Sequence, residues 1–322
     1  MSKIRYGLIV LILLINISMK SQLLHFPHFY IYDSGTLDVE HPTYEFGDYD
    51  IVKDKLIKAR QTKDKAAFLT SVMDSIHLLD KTRAGLIIYI HGYQGDNKQF
   101  VQSSGFILQK EVFDQASSPY GMAISFQWKS PMAYNDAVKT ARGKGQASAT
   151  ILQEIYTNWK IKYPEAPMTI ICHSMGNRVW QGLYESWVTL DQNLSINNVL
   201  MMAADLETDV LNTSFKDIQL HCHHLYIYHS LADRTLQMAN ALNEHKRLGI
   251  YGIPIDSSSN TNSLNLSTQN SDLPIYAHEL IIRDVTKIQD DQTFAGKLSK
   301  HRYYYGSPTI RKEIVDILTT NN

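Results

Sequence analysis

Thr169-Ile170-Ile171-Cys172-His173-Ser174-Met175-Gly176-Asn177-Arg178-Val179 is the stretch on which the fold of this chain turns. A short apolar run leads into a small–x–Ser–x–Gly turn, and the turn leads into a helical pattern. Where a buried strand turns that sharply, the middle residue is held in a strained backbone conformation and its neighbours two positions away must be small. Gly176 meets that condition fully, and Cys172 is as large a residue as the other position tolerates. Such a turn lifts Ser174 Oγ clear of the sheet, and it aims the Met175 N–H and the helix N-terminus at a developing negative charge. Two blander assignments compete with this one. Ser174 could be an ordinary turn or N-cap serine, and Cys172, at a buried strand end, reads as a packed thiol rather than a nucleophile.

Working outward, the same alternation recurs. Leu86-Ile87-Ile88-Tyr89-Ile90, Met122-Ala123-Ile124-Ser125-Phe126, Val199-Leu200-Met201-Met202, Leu225-Tyr226-Ile227-Tyr228 and Leu280-Ile281-Ile282 are short continuous apolar runs. Continuous apolarity marks strands covered on both faces, as in a mostly parallel sheet. Between two of them Ile151, Leu152, Ile155, Tyr156 and Trp159 recur at helical spacing. A last helix begins with Ser307 as N-cap and Pro308 in the first turn. The pattern predicts a doubly wound α/β sheet flanked by helices. Edge strands are expected at 29–32 and around Tyr44, with a helix over 54–79. A stretch at 256–272, rich in Ser, Asn and Thr, predicts a long polar surface loop.

A serine hydroxyl needs a base, and the base needs an orienting carboxylate. On doubly wound sheets with such a turn the chain order is Ser, then Asp or Glu, then His. Asp233 follows the run ending at Tyr228, and Asp205 follows the run ending at Met202. Asp233 is the favoured acid because it follows the later strand, and Asp205 is the alternative. His301 lies between the last strand and the final helix, where the base should hang, whereas His278 would sit at the opposite end of the sheet. The strand 86–90 runs into His91-Gly92-Tyr93-Gln94-Gly95, which supplies Tyr93 N–H as a second oxyanion donor beside Met175. His91 fits a structural histidine bonded to that loop. In His221-Cys222-His223-His224, alternation lets only two of the four side chains share an ion, so no metal site is expected and no cofactor is required.

The 322 residues carry 31 Lys and Arg against 32 Asp and Glu, a net charge of −1, with 44% hydrophobic residues and two cysteines. That composition argues against disorder, a nucleic-acid partner and a disulfide framework. Lys3 and Arg5 precede an apolar run from Gly7 to Ile15, too short to span a bilayer, followed by Ser18, Ser21 and Gln22. Residues 1–21 are therefore expected to be a signal peptide, or else an uncleaved interfacial anchor. The mature chain is expected to be secreted or periplasmic and to have no transmembrane span. Residues 22–80 read as an N-terminal extension with edge strands and a helix, and 81–322 as the main domain.

Taken together, these blocks resemble a bacterial α/β-hydrolase family of unknown function. The likeness is carried by His91-Gly92-Tyr93, Ser125-Phe126-Gln127-Trp128, His173-Ser174-Met175-Gly176-Asn177-Arg178, Ala203-Ala204-Asp205, Leu231-Ala232-Asp233-Arg234-Thr235-Leu236, Arg247-Leu248-Gly249 and His301-Arg302-Tyr303-Tyr304. It extends from about residue 81 to the C-terminus. The resemblance implies the α/β-hydrolase fold and a Ser174–Asp233–His301 triad, but no substrate. Cys172, where many hydrolases have Gly, and the polar 256–272 stretch depart from the pattern. Residues 202–224 are too few for a large cap domain, so an open site is expected. The resulting expectation is an exported serine hydrolase acting on a small-molecule carboxylic ester. A lipase, thioesterase or amidase with the same triad is the nearest alternative, and a non-catalytic binding protein on the same scaffold is the alternative of another class. Oligomeric state is not legible in the sequence.

Overall fold

A computed structural model describes residues 26–35, 41–102, 104–116, 119–243, 245–253 and 279–320. The expected leader (1–21), the polar stretch 256–272 and His278 lie outside the described residues. Nine strands are found among those described: β1 (His28–Asp33), β2 (Tyr44–Val52), β3 (Lys55–Thr62), β4 (Gly85–Ile90), β5 (Tyr120–Trp128), β6 (Met168–His173), β7 (Ile196–Met202), β8 (Cys222–His229) and β9 (Glu279–Asp284). They form one sheet in the order β3-β2-β1-β5-β4-β6-β7-β8-β9. From β1 through β9 every neighbouring pair is parallel, while β2 and β3 fold back antiparallel at one end. The expected doubly wound, mostly parallel α/β-hydrolase sheet is therefore present.

Two of the expected elements differ. The segment 29–32 is not at the sheet edge: β1 lies between β2 and β5, with Tyr30 and Ile31 fully buried. The helix expected over 54–79 begins only at Lys65, because Lys55–Thr62 is strand β3. Lys53 and Asp54 both adopt positive φ, 50° and 56°. Two consecutive left-handed residues make the tight turn whose twist matches a hairpin. Such turns usually carry Asn-Gly or Asp-Gly, so Lys-Asp hid this one.

Each central strand feeds two cores. Leu86, Ile88 and Ile90 of β4 pack on one face of the sheet, and Ile87 and Tyr89 on the other, as the two-residue period requires. The first face is covered by α1 (Lys65–Leu78), α2 (Tyr134–Lys162) and α3 (Gly176–Leu190). The second is covered by the turn Gln109–Phe113, the tyrosines Tyr303, Tyr304 and Tyr305, and the last helix, whose Ile310, Ile314 and Leu318 are buried. Helices α2 and α3 cross at glycines. A Cβ on Gly145 would stand 1.8 Å from the Val179 carbonyl oxygen, and one on Gly182 would stand 1.9 Å from that of Arg142. A fully buried ion pair, Lys144 Nζ to Asp33 Oδ2 at 2.9 Å, ties α2 to the end of β1. Among the described residues no helix is long and apolar enough to cross a membrane.

Candidate active site

The parallel run of β4, β6, β8 and β9 brings four strand-ending loops to one edge of the sheet, where ligands of open α/β sheets collect. The loop after β6 holds Ser174 at φ 55°, a conformation that costs a non-glycine residue about 1–3 kcal/mol. The surroundings over-determine it. Ser174 N–H donates to Met202 O at 2.9 Å, and its carbonyl accepts from Asn177 N–H (3.1 Å), Asn177 Nδ2 (2.9 Å) and Asp205 N–H (3.2 Å). Close approach demands the glycines here. A Cβ on Gly176 would sit 2.5 Å from His91 O, and one on Gly92 would sit 2.7 Å from Ser174 Cβ. The loops after β4 and β6 thus touch at the serine.

Asp233 follows β8 at the start of a helix, Arg234–Asn243, and is fully buried. Its Oδ1 accepts Leu236 N–H at 2.9 Å, and its Oδ2 lies 2.7 Å from His301 Nδ1. That contact assigns the Nδ1 proton to the carboxylate and leaves Nε2 of His301 as the free ring nitrogen. His301 and Ser174 line one cavity of about 440 Å³, together with Tyr93 and Gly92. No hydrogen bond joins Ser174 Oγ to His301 among the described residues. Contacts between a nucleophile and its base are often loose without substrate.

The alternative acid is occupied elsewhere. Asp205 accepts the Tyr134 hydroxyl proton at 2.6 Å and lies 3.3 Å from Arg247 Nε, with both side chains of that pair buried. Glu207 holds Arg178 at 2.8 Å and Arg247 at 3.0 Å. Asp205 therefore belongs to an ionic cluster under the Ser174 turn, which it joins through its backbone N–H to the Ser174 carbonyl.

The backbone N–H groups of Tyr93 and Met175 have no acceptor among the described residues; Tyr93 lines the cavity with Ser174, and Met175 directly follows it. Both ring nitrogens of His91 are engaged. Its Nε2 accepts Trp128 N–H at 2.9 Å, so its Nδ1–H donates to Gly92 O, and Trp128 Nε1–H donates to His91 O at 3.2 Å. Burial lowers the His91 pKa from 6.5 to about 4, which keeps the ring neutral. Cys172 is fully buried, and burial pushes its thiol well above the ordinary range, so it is protonated and inert. Cys222 donates its thiol to His224 O, and His221 Nδ1 lies 3.2 Å from Leu194 O.

Sequence reasoning missed His173. Its Nε2–H donates to the backbone carbonyl of His301 at 3.1 Å, and its ring stacks on Tyr304 with centroids 4.2 Å apart. Burial holds its pKa well below 6.5, assisted by the neighbouring His301. A neutral imidazole thus braces the loop that carries His301. Tyr303 does similar work: its hydroxyl donates to Tyr228 O at 3.1 Å and accepts from Ala203 N–H at 2.7 Å. The tyrosine run after His301 was visible in the sequence, but its partners lie 75 and 100 residues away.

Comparison with known proteins gives three findings. The model of a family described as alpha/beta hydrolase of unknown function (DUF900) matches residues 65–316. No curated protein matches the chain. Among solved structures, the chain is similar to a crystal structure of an uncharacterized protein from Bacillus cereus ATCC 10987, at 16% identity and a TM-score of 0.32. That similarity covers 72% of this chain and 62% of the other.

Proposed function

The chain belongs to this α/β-hydrolase family of unknown function, and from that membership we propose that it is an exported serine hydrolase cleaving carboxylic esters. Ser174 Oγ attacks the ester carbonyl while His301 Nε2 takes its proton and Asp233 stabilises the resulting imidazolium. The Tyr93 and Met175 N–H groups receive the oxyanion; losing one such donor typically costs about 10²–10³ in rate. The tetrahedral adduct collapses, His301 protonates the departing alcohol, and a water activated by the same nitrogen releases the acyl group.

The observation that carries this reading is the 2.7 Å contact of His301 Nδ1 with Asp233 Oδ2 on the wall of a cavity that Ser174 also lines. Export is supported by the basic start and short apolar run of residues 1–21. The test is hydrolysis of short- and long-chain 4-nitrophenyl esters, beside thioester and peptide substrates. Ester turnover lost in Ser174→Ala and His301→Asn supports the reading. Turnover of thioesters or peptides alone moves the assignment to a thioesterase or amidase. No turnover of any of them by the folded protein supports a binding protein on the same scaffold.

A further inference from the structure

The cavity beside Ser174 carries one charged side chain of fixed sign, Arg302, and the described residues lining it include no carboxylate. Arg302 directly follows His301. It is exposed, and among the described residues the one hydrogen bond of its side chain is a long contact of Nη1 with Tyr305 OH at 3.4 Å. Five other arginines, Arg60, Arg142, Arg178, Arg247 and Arg283, each lie within ion-pair distance of an Asp or Glu. Arg302 has no such partner among the described residues. Its positive field nevertheless reaches His173, Tyr304 and Tyr305, which line the same cavity. The histidines His91 and His173 are kept neutral by burial and add no charge. A guanidinium fork with free donors at the rim of a cavity without acids is a receptor for a planar anion.

The geometry points to an ester substrate whose acyl or alcohol part carries a carboxylate, seated on Arg302 while its ester carbonyl lies at Ser174. One guanidinium balances a monoanion, whereas a phosphate dianion would leave a charge unpaired, and that favours the carboxylate. The inference rests on Ser174 and His301 marking the reacting end of the cavity, and it specifies the substrate class for that reaction. The chemistry is the same ester cleavage: the carboxylate takes no part in bond making, and it is retained in the acid or the alcohol that leaves.

The test uses two matched pairs of esters, 4-acetoxybenzoate with its neutral methyl ester, and monomethyl adipate with methyl heptanoate, so that either half of the substrate can bear the charge. For one pair, kcat/KM of the wild-type protein should favour the anion by about tenfold or more, mainly through KM, with the preference falling as salt rises. The ratio should collapse in Arg302→Gln, be partly kept in Arg302→Lys, and invert in Arg302→Glu. Binding of monomethyl adipate to Ser174→Ala, with and without Arg302→Gln, is measured by calorimetry as an arm independent of turnover. Turnover of both members of each pair at equal efficiency overturns the inference and leaves the hydrolase reading standing. Arg302-dependent binding of monomethyl adipate without turnover of any ester upholds the anion site and overturns the hydrolase reading. Absence of a charge preference in both arms overturns the inference outright.

Discussion

Asp205 and Asp233 each follow a strand of the sheet, and both are almost fully buried, yet their partners set them different tasks. Asp233 spends one oxygen on a backbone N–H and the other on His301, so its charge is available to an imidazolium. Asp205 is spent on Tyr134 and the buried Arg247. Asp233→Asn should keep the fold and lower kcat by about 10⁴, because an amide no longer holds the productive tautomer of His301. Asp205→Asn should instead lower stability by about 3 kcal/mol, since it strips a buried guanidinium of a carboxylate. Steady-state kinetics and urea unfolding on both variants distinguish the two; a near-normal kcat in Asp233→Asn contradicts the assignment. Ser174, Asp233 and His301 are legible in the sequence because each follows a recognisable apolar run in a fixed chain order. His173 and Trp128 are not, because their work is done through bonds to distant residues, the backbone carbonyl of His301 and the ring Nε2 of His91, which no local pattern records.

At the scale of elements, the strands announce themselves where both faces are covered. Every residue of β4, β5 and β6 is buried, and each strand is built round a short, mostly apolar run. The hairpin of β2 and β3 fails that test: Lys55, Ile57, Arg60 and Gln61 of β3 are exposed or nearly so, and the Lys53-Asp54 turn lacks the usual residues. Charged, half-solvated strands next to a true helix look like more of that helix. The crossing of α2 and α3 was equally hidden, since Gly145 and Gly182 signify nothing until the two helices meet. Alanine in a helix ordinarily gains about 1 kcal/mol over glycine. Gly145→Ala should nonetheless destabilise the protein by about 2 kcal/mol, because its Cβ would overlap the Val179 carbonyl oxygen of α3. Since α3 begins at the Ser174 turn, the proposed ester turnover should fall as well. A urea midpoint equal to or above that of the unaltered protein contradicts this packing.

For the molecule as a whole, buried neutral histidines set the response to acid. Burial lowers His91 from 6.5 to about 4 and His28 to about 3, the latter held between Gln109 Oε1 and Ser125 Oγ at 2.7 Å each. The unfolded chain therefore takes up protons near pH 6.5 that the folded chain refuses until pH 4 or 3. Stability is full above about pH 6.5 and declines as pH falls through that window, by about 3 kcal/mol for His91 alone. Urea unfolding at a series of pH values should show this slope, reduced in His91→Gln, and a flat profile contradicts it. The whole folded protein also provides the sharpest check on the proposed chemistry. Incubation with a fluorophosphonate, followed by intact-mass and peptide mass spectrometry, should find a single phosphonyl adduct on Ser174, absent from Ser174→Ala and much slower to form in His301→Asn. A folded protein that forms no adduct, or forms it at another residue with Ser174 untouched, contradicts the account.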